Sequence, residues 1–184
     1  MARPLEFDRC QAIAQAKQEF HRHGYEATSI DNLTAALGIS RASLYNTFGD
    51  KHSLMLATID AACDEGKQLR DTACGRKCSA KSILRDFFEQ LATLDGQGCY
   101  LLTLGAELST SDPQVQQRVQ ASLDESRAMF ELILSRDPDL TPKAIQAKSA
   151  SLLGTMVSVL TLARVHPDPA LLKSIIQQGL SVLE

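Results

Sequence analysis

The chain has no tryptophan, and its three tyrosines and six phenylalanines amount to only 5% of 184 residues, so its core must be built mainly from aliphatic side chains. Long apolar runs are missing too. None approaches the roughly 20 residues that a membrane-spanning helix needs, and the opening "MARPLEFDRC" has no apolar stretch of the signal-peptide kind. The expected location is the cytoplasm, with no membrane partner. Five cysteines, odd in number and scattered along the chain, argue against a disulfide framework and suit a reducing compartment. There is no surplus of positive charge: the formal net charge is -3, and the first 60 residues hold six Lys/Arg against seven Asp/Glu. That balance excludes a binder whose affinity for nucleic acid rests on bulk phosphate neutralisation. Also absent are a phosphate-cradling glycine loop, a nucleophile elbow, a zinc-protease histidine pair and a His-rich cluster. Glu107 and Asp112 are too isolated to propose as an acid–base pair. No enzyme, cofactor or metal site is expected.

What remains is an ordinary globular composition, 44% apolar and 22% charged, whose apolar residues recur at helical spacing almost everywhere. The expectation is an all-α protein. A first helix runs from about Arg9 to His23, with Cys10, Ile13, Ala16 and Phe20 on one face and Gly24 as its stop. Thr28 reads as the N-cap of a second, with Asp31 in capping-box spacing, ending near Leu37. Gly38 can take the positive φ of a tight turn, and Ser40 can cap a third helix, Arg41 to Phe48. Asp50 caps a long fourth helix that ends before "DTACGRKCS". Further helices are expected from Ser79 to about Leu94, where "DGQG" ends the run, from Cys99 to Leu108, from Pro113 to about Leu134, from Pro142 to about Arg164, and from "HPDP" to near Leu183.

Two short helices around a glycine make a helix-turn-helix, and base reading explains the arrangement. A thin second helix enters the major groove of B-DNA, where its N-terminal side chains reach base edges. On Arg41 to Phe48, Arg41 can donate a bidentate pair to guanine. Ser43, Asn46 and Thr47 are adaptable hydrogen-bonders, and Ala42 is small enough for close approach. Leu44 and Phe48 would anchor the other face. The plainer alternative is an αα-hairpin with a polar outer face, as in a helical adaptor that never meets DNA.

The order "FHRHGYEATSIDNLTAALGISRASLYNTFGDKHSLMLATID", residues 20 to 60, closely resembles the DNA-binding domain of TetR-family transcriptional regulators. The matching elements are "HGYEATS" after an aromatic, a helix closing on "LGIS", the "SLYNTF" of a recognition helix, and a Lys opening the fourth helix. One departure is Thr34, where such units usually carry Ala. The resemblance implies a helix-turn-helix domain over residues 1–50 and a larger helical effector-binding and dimerisation domain over 51–184, helix four linking the two. It implies a homodimeric repressor on a palindromic double-stranded operator, released by a small-molecule inducer. It also carries phosphate contacts to Thr28, Ser29, Tyr45 and Lys51. For Thr28, Ser29 and Lys51 the free N–H groups of helix N-termini agree with that role. Tyr45 could equally be a core aromatic.

Cys99 follows Gly98 at an expected helix start, where the macrodipole would lower a thiol pKa. Its surroundings look like a branch of TetR-like regulators that sense electrophiles or oxidants, so a thiol-based repressor is the alternative reading, against a buried, inert cysteine. Phe87, Phe88, Leu91, Tyr100, Leu104 and Phe130 could line an effector cavity or fill the core. Cys74 and Cys78 would share a helix face, as a redox pair or two metal ligands, though two thiols fall short of a structural zinc site. Cys10 and Cys63 lie on apolar stripes and read as core, and His21 and His23 as cations at a helix end. Leu152, Leu153, Met156, Val157 and Leu160, with Leu172, Ile175, Ile176 and Leu180, form faces broader than one buried stripe requires, and are assigned to a dimer interface.

Overall fold

A computed structural model of the chain describes residues 7–92 and 98–183, and every regular element among them is helical. In order these are α1 (Arg9–His23), α2 (Ile30–Leu37), α3 (Arg41–Phe48), α4 (Lys51–Gly75), α5 (Ala80–Ala92), α6 (Tyr100–Leu108), α7 (Pro113–Leu134), α8 (Pro142–Val165) and α9 (Pro169–Leu180), with a final 3-10 turn at Ser181–Leu183. The expected end of α5 at Leu94 and most of its "DGQG" stop lie outside the described residues.

Side-chain caps set most of these starts. The carboxylate of Asp8 accepts from the N–H of Cys10 at 2.8 Å, that of Asp50 from Ser53 at 2.6 Å, and that of Asp112 from Gln114 at 2.9 Å. Each supplies an acceptor to a first-turn N–H that has none within the helix. Proline opens α7, α8 and α9, where no N–H is needed. The start of α2 differs from expectation by one residue. Ser29 is its N-cap, accepting from Asn32 N–H at 3.1 Å, while Asn32 Oδ1 accepts from Ser29 N–H at 2.9 Å. The box thus closes on Asn32, and Asp31 is left outside it.

Apolar packing falls into two clusters. In the first, Phe20, Leu33, Leu44, Leu54, Met55 and Ile59 from α1 to α4 enclose Leu101, Leu104 and Leu108 of α6. The second gathers Ile83, Leu84, Phe87 and Phe88 of α5 with Phe130 and Ile133 of α7, Leu152, Met156, Val159 and Leu160 of α8, and Leu172 and Ile176 of α9. Phe88 and Phe130 stack with ring centroids 6.0 Å apart, and Phe87 meets both rings edge-on. At the seam between the clusters, α6 begins close against α8. Gly98 has φ +70°, and a Cβ there would lie 2.7 Å from the Leu160 carbonyl oxygen and 2.8 Å from Arg164 Cβ.

By length and composition α8 could cross a membrane, contrary to the reading of the sequence. Its apolar character comes partly from small residues, however, and its large ones pack on α5, α7 and α9. Cys10 is exposed, the buried face of α1 running instead through Ala12, Ile13, Ala16, Phe20 and His21.

Replacing Gly98 by alanine forces a positive φ on an L-residue and a clash with backbone. The expected loss is on the order of 2 kcal/mol or more, read as a lower urea midpoint of the full-length protein.

Candidate nucleic-acid interface

The turn between α2 and α3 is short because Gly38 adopts the left-handed conformation, φ 64° and ψ 28°, which costs a glycine nothing. The next N–H, that of Ile39, donates to Thr34 O at 3.2 Å, closing the end of α2. Thr34 itself is tolerated because its hydroxyl donates to Asp31 O at 3.1 Å. Ser40 then caps α3, accepting from Ser43 N–H at 3.0 Å. Leu44 and Phe48 are buried beneath the helix, and Arg41, Ala42, Tyr45 and Asn46 stand exposed on the other side with Ser43 and Thr47 at its margins. At 47% exposure Tyr45 is a surface residue and not a core aromatic.

Two further groups flank this face. Ser29 is exposed at the start of α2. Lys51 opens α4 with its ammonium 4.2 Å from the centre of the Tyr25 ring, a cation–π contact that holds the charge near the helix N-terminus. Arg41 is engaged as well: Nε and Nη2 donate to Asp31 Oδ1 at 3.0 and 2.5 Å. Thr28 does not belong with these residues. It is 1% exposed and its hydroxyl donates to Gly24 O at 2.6 Å, so neither a cap nor a side-chain phosphate contact is open to it.

Contacts from the rest of the chain fix the attitude of this unit. The Glu107 carboxylate of α6 accepts from the backbone N–H groups of Tyr25 and Glu26, both at 2.9 Å, clamping the turn between α1 and α2. Thr58 and Tyr100 join hydroxyls at 2.6 Å inside the first cluster. Arg164 Nη2 donates to His21 O at 2.8 Å, and the buried His21 ring meets Tyr100 edge-on, a packing role in place of the expected exposed cation. His52 Nε2 and Asp112 Oδ2 lie 2.6 Å apart, tying α4 to the start of α7. Burial pushes the Asp112 carboxyl up, but the His52 bond and the N–H groups of Val115 and Gln114 outweigh it and leave the group below its ordinary value. Glu107 and Asp112, too isolated in sequence to suggest catalysis, are thus structural acceptors. Sequence spacing gave no sign of partners more than 50 positions away.

The remaining expectations fare differently. Cys99 does stand at the start of α6, but it packs against both clusters, and burial pushes its thiol up although the N–H groups of Leu102 and Leu101 pull the other way. The activated thiolate expected there is absent because desolvation outweighs the helix terminus. Cys74 ends up within α4 while the exposed Cys78 lies beyond it, so the two share no helix face. Phe87, Phe88, Leu91, Tyr100, Leu104 and Phe130 are all buried as core. None of them lines the cavity of about 520 Å³ between α5, α8 and α9, whose walls include Ala163, Pro169, Leu172 and Ile176 with Arg85 and Lys173. Of the assigned interface, Leu152, Met156, Leu160, Leu172 and Ile176 are buried in this chain's own core and have no side-chain surface left for a partner, whereas Leu153, Val157, Ile175 and Leu180 stay partly exposed.

Residues 12–58 match the family described as bacterial regulatory proteins, tetR family. Over full length the chain is similar to the uncharacterized HTH-type transcriptional regulator YezE of Bacillus subtilis strain 168, 30% identical over 198 aligned residues covering 100% of both chains. It is 34% identical to the HTH-type transcriptional repressor ComR of Escherichia coli K12 over 114 residues, 58% of this chain and 54% of that one. The fold matches a cysteine-substituted form of the TetR family transcriptional regulator CifR complexed with 26 bp double-strand operator DNA, at TM-score 0.85 and 23% identity over 98% of each chain.

The Asp112 link carries a pH signature. A carboxyl held below its ordinary pKa contributes stability that is present above that value and lost as the pH falls through the depressed one. Asp112→Asn should therefore have a lower urea midpoint than the parent near neutrality, with the gap closing on acidification.

Proposed function

Because the chain belongs to the TetR family of bacterial regulatory proteins and is a DNA-binding transcriptional regulator, we propose that it acts as a homodimeric repressor of a palindromic operator, released by a small-molecule inducer. The observation that carries the DNA-reading part is the two-sided character of α3, with Leu44 and Phe48 buried and Arg41, Ala42, Tyr45 and Asn46 exposed at one end of the molecule. Two such helices about 34–36 Å apart would enter successive major grooves. Arg41, Ala42, Ser43, Asn46 and Thr47 then face base edges, while Ser29, Tyr45 and Lys51 meet phosphates. A repressor is the sign supported by the similarity to ComR.

We assign residues 1–50 to DNA reading and 51–184 to effector binding and dimerisation, with α6 bridging them. For the dimer, the outer face of α8 carries exposed Ala147, Ala150, Ser151, Gly154, Ser158 and Thr161, with Leu153 and Val157 partly exposed nearby. No charged residue occurs between Ser149 and Ala163. Small uncharged side chains let two helices approach closely, which fits pairing with the same face of a second copy. The cavity between α5, α8 and α9 falls in the range of small-molecule sites, roughly 300–1,000 Å³, and is our choice for the inducer. Release requires that the inducer bind the DNA-incompetent arrangement more tightly, by no more than the difference it makes to DNA affinity.

The purified protein should bind a duplex from its own upstream region with a steep salt dependence and a scrambled duplex far less tightly; binding neither duplex would leave a helical adaptor. In the same assay Lys51→Ala should weaken binding alike on all sequences, whereas Arg41→Ala should cost discrimination, about 1–3 kcal/mol at one base pair. Equal losses on both duplexes would remove Arg41 from the base-reading set. Gly154→Arg tests the dimer face. A Cβ there meets nothing within 4 Å in this chain, so the variant should keep its helical spectrum yet sediment as a monomer, and a persistent dimer would refute that face.

A further inference from the structure

Asp31 lies in the first turn of α2 but takes no part in its cap, which Ser29 and Asn32 complete between them. Its carboxylate instead reaches across the Gly38 turn to Arg41, the first residue of α3, with side-chain exposures of 70% and 62%. An ion pair so open to water contributes little to folding. What it does is fix the direction of a long side chain. Oδ1 takes the Nε–H and one Nη2–H of the guanidinium, which has five donors in a rigid plane. The edge formed by Nη1 and the second Nη2–H stays free, and two donors on one edge are what the O6 and N7 atoms of guanine accept.

We propose that Asp31 is a specificity-determining residue, holding Arg41 so that its free edge is offered to one guanine and kept from the phosphates. The proposal rests on the DNA-reading function assigned above. Two physical effects follow from the same contact. The rotamer freedom that Arg41 would lose on binding is already lost in the free protein, so less is lost at the groove. Were Arg41 to swing onto a phosphate, it would also leave a bare carboxylate beside Ser29, at a helix start assigned to the DNA backbone. That repulsion weakens sequence-independent binding more than specific binding, which is discrimination by penalty on the wrong mode.

The test uses the full-length protein, a duplex from its own upstream region, a scrambled duplex of equal composition, and upstream duplexes in which each guanine in turn is replaced by 7-deazaguanine. The parent should lose about tenfold in affinity at one guanine per half-site, the scale of a good bidentate pair, and Arg41→Ala should be insensitive there. Asp31→Ala should lose that same sensitivity while binding the scrambled duplex as well or better, so that the ratio of specific to scrambled affinity falls about tenfold. Asp31→Asn, which keeps the acceptor without the charge, should fall between. In an Arg41→Ala background, removing Asp31 should strengthen binding to both duplexes. A structural role would weaken all duplexes alike and leave the 7-deazaguanine profile of Asp31→Ala unchanged; either that result or an unchanged ratio overturns the proposal. If the parent discriminates and Asp31→Ala keeps its profile, only the role of Asp31 fails. A parent that binds neither duplex refutes the DNA-reading function and the role of Asp31 with it.

Discussion

Everything that faces outward from α3 depends on the seat that α6 provides for the first four helices. Leu104 is wholly buried among them, the Tyr100 hydroxyl meets Thr58 of α4, and the Glu107 carboxylate holds two N–H groups of the turn that leads into α2. These are different kinds of restraint. Apolar contact resists separation but allows sliding, whereas a carboxylate on two backbone donors fixes direction. Together they make the reading unit and α6 move as one body, so a change felt by α6 is felt at the groove.

The same economy governs charge. A chain with net charge -3 cannot rely on a general field to find DNA. Its few cations at the interface are therefore individually held, Lys51 against the Tyr25 ring and Arg41 by Asp31. The acidic residues nearby are occupied too: Asp50 caps α4, and the Ser53 N–H and hydroxyl hold its carboxyl below the ordinary range. Selectivity is favoured over strength by such an arrangement, since little attraction is left for an arbitrary sequence.

Local chemistry made most of the fold legible in the sequence. Gly38, Ser40, Asp50, Pro113 and Pro142 mark helix ends that need no tertiary information, and the bounds of α1, α3 and α7 coincide with those expected. Thr28 and Ser29 defeated the same logic because either can cap, and only burial of the threonine decides between them. Long-range partners such as Glu107 with Tyr25, or His52 with Asp112, leave no local trace. The dimer assignment erred for a related reason. On helices as apolar as α8 and α9, hydropathy shows that large residues are buried but not against what, and Leu152, Met156 and Ile176 turn out to serve their own chain. Cys99 was placed correctly at a helix start, yet the sequence carried no measure of how deeply it would sit.

Gly98 and Glu107 stand at the two ends of α6, one pressed on the backbone of α8 and the other bonded to the turn after α1. An α-helix turns about 100° and rises about 1.5 Å per residue. Inserting or deleting one residue between these anchors would thus swing the carboxylate to another side of the helix while the glycine stayed where it was. Neutral drift in this lineage is then free to change the identities of the exposed residues of α6 but not their number, and among relatives that keep both anchors the spacing between them is a quantity under selection in its own right.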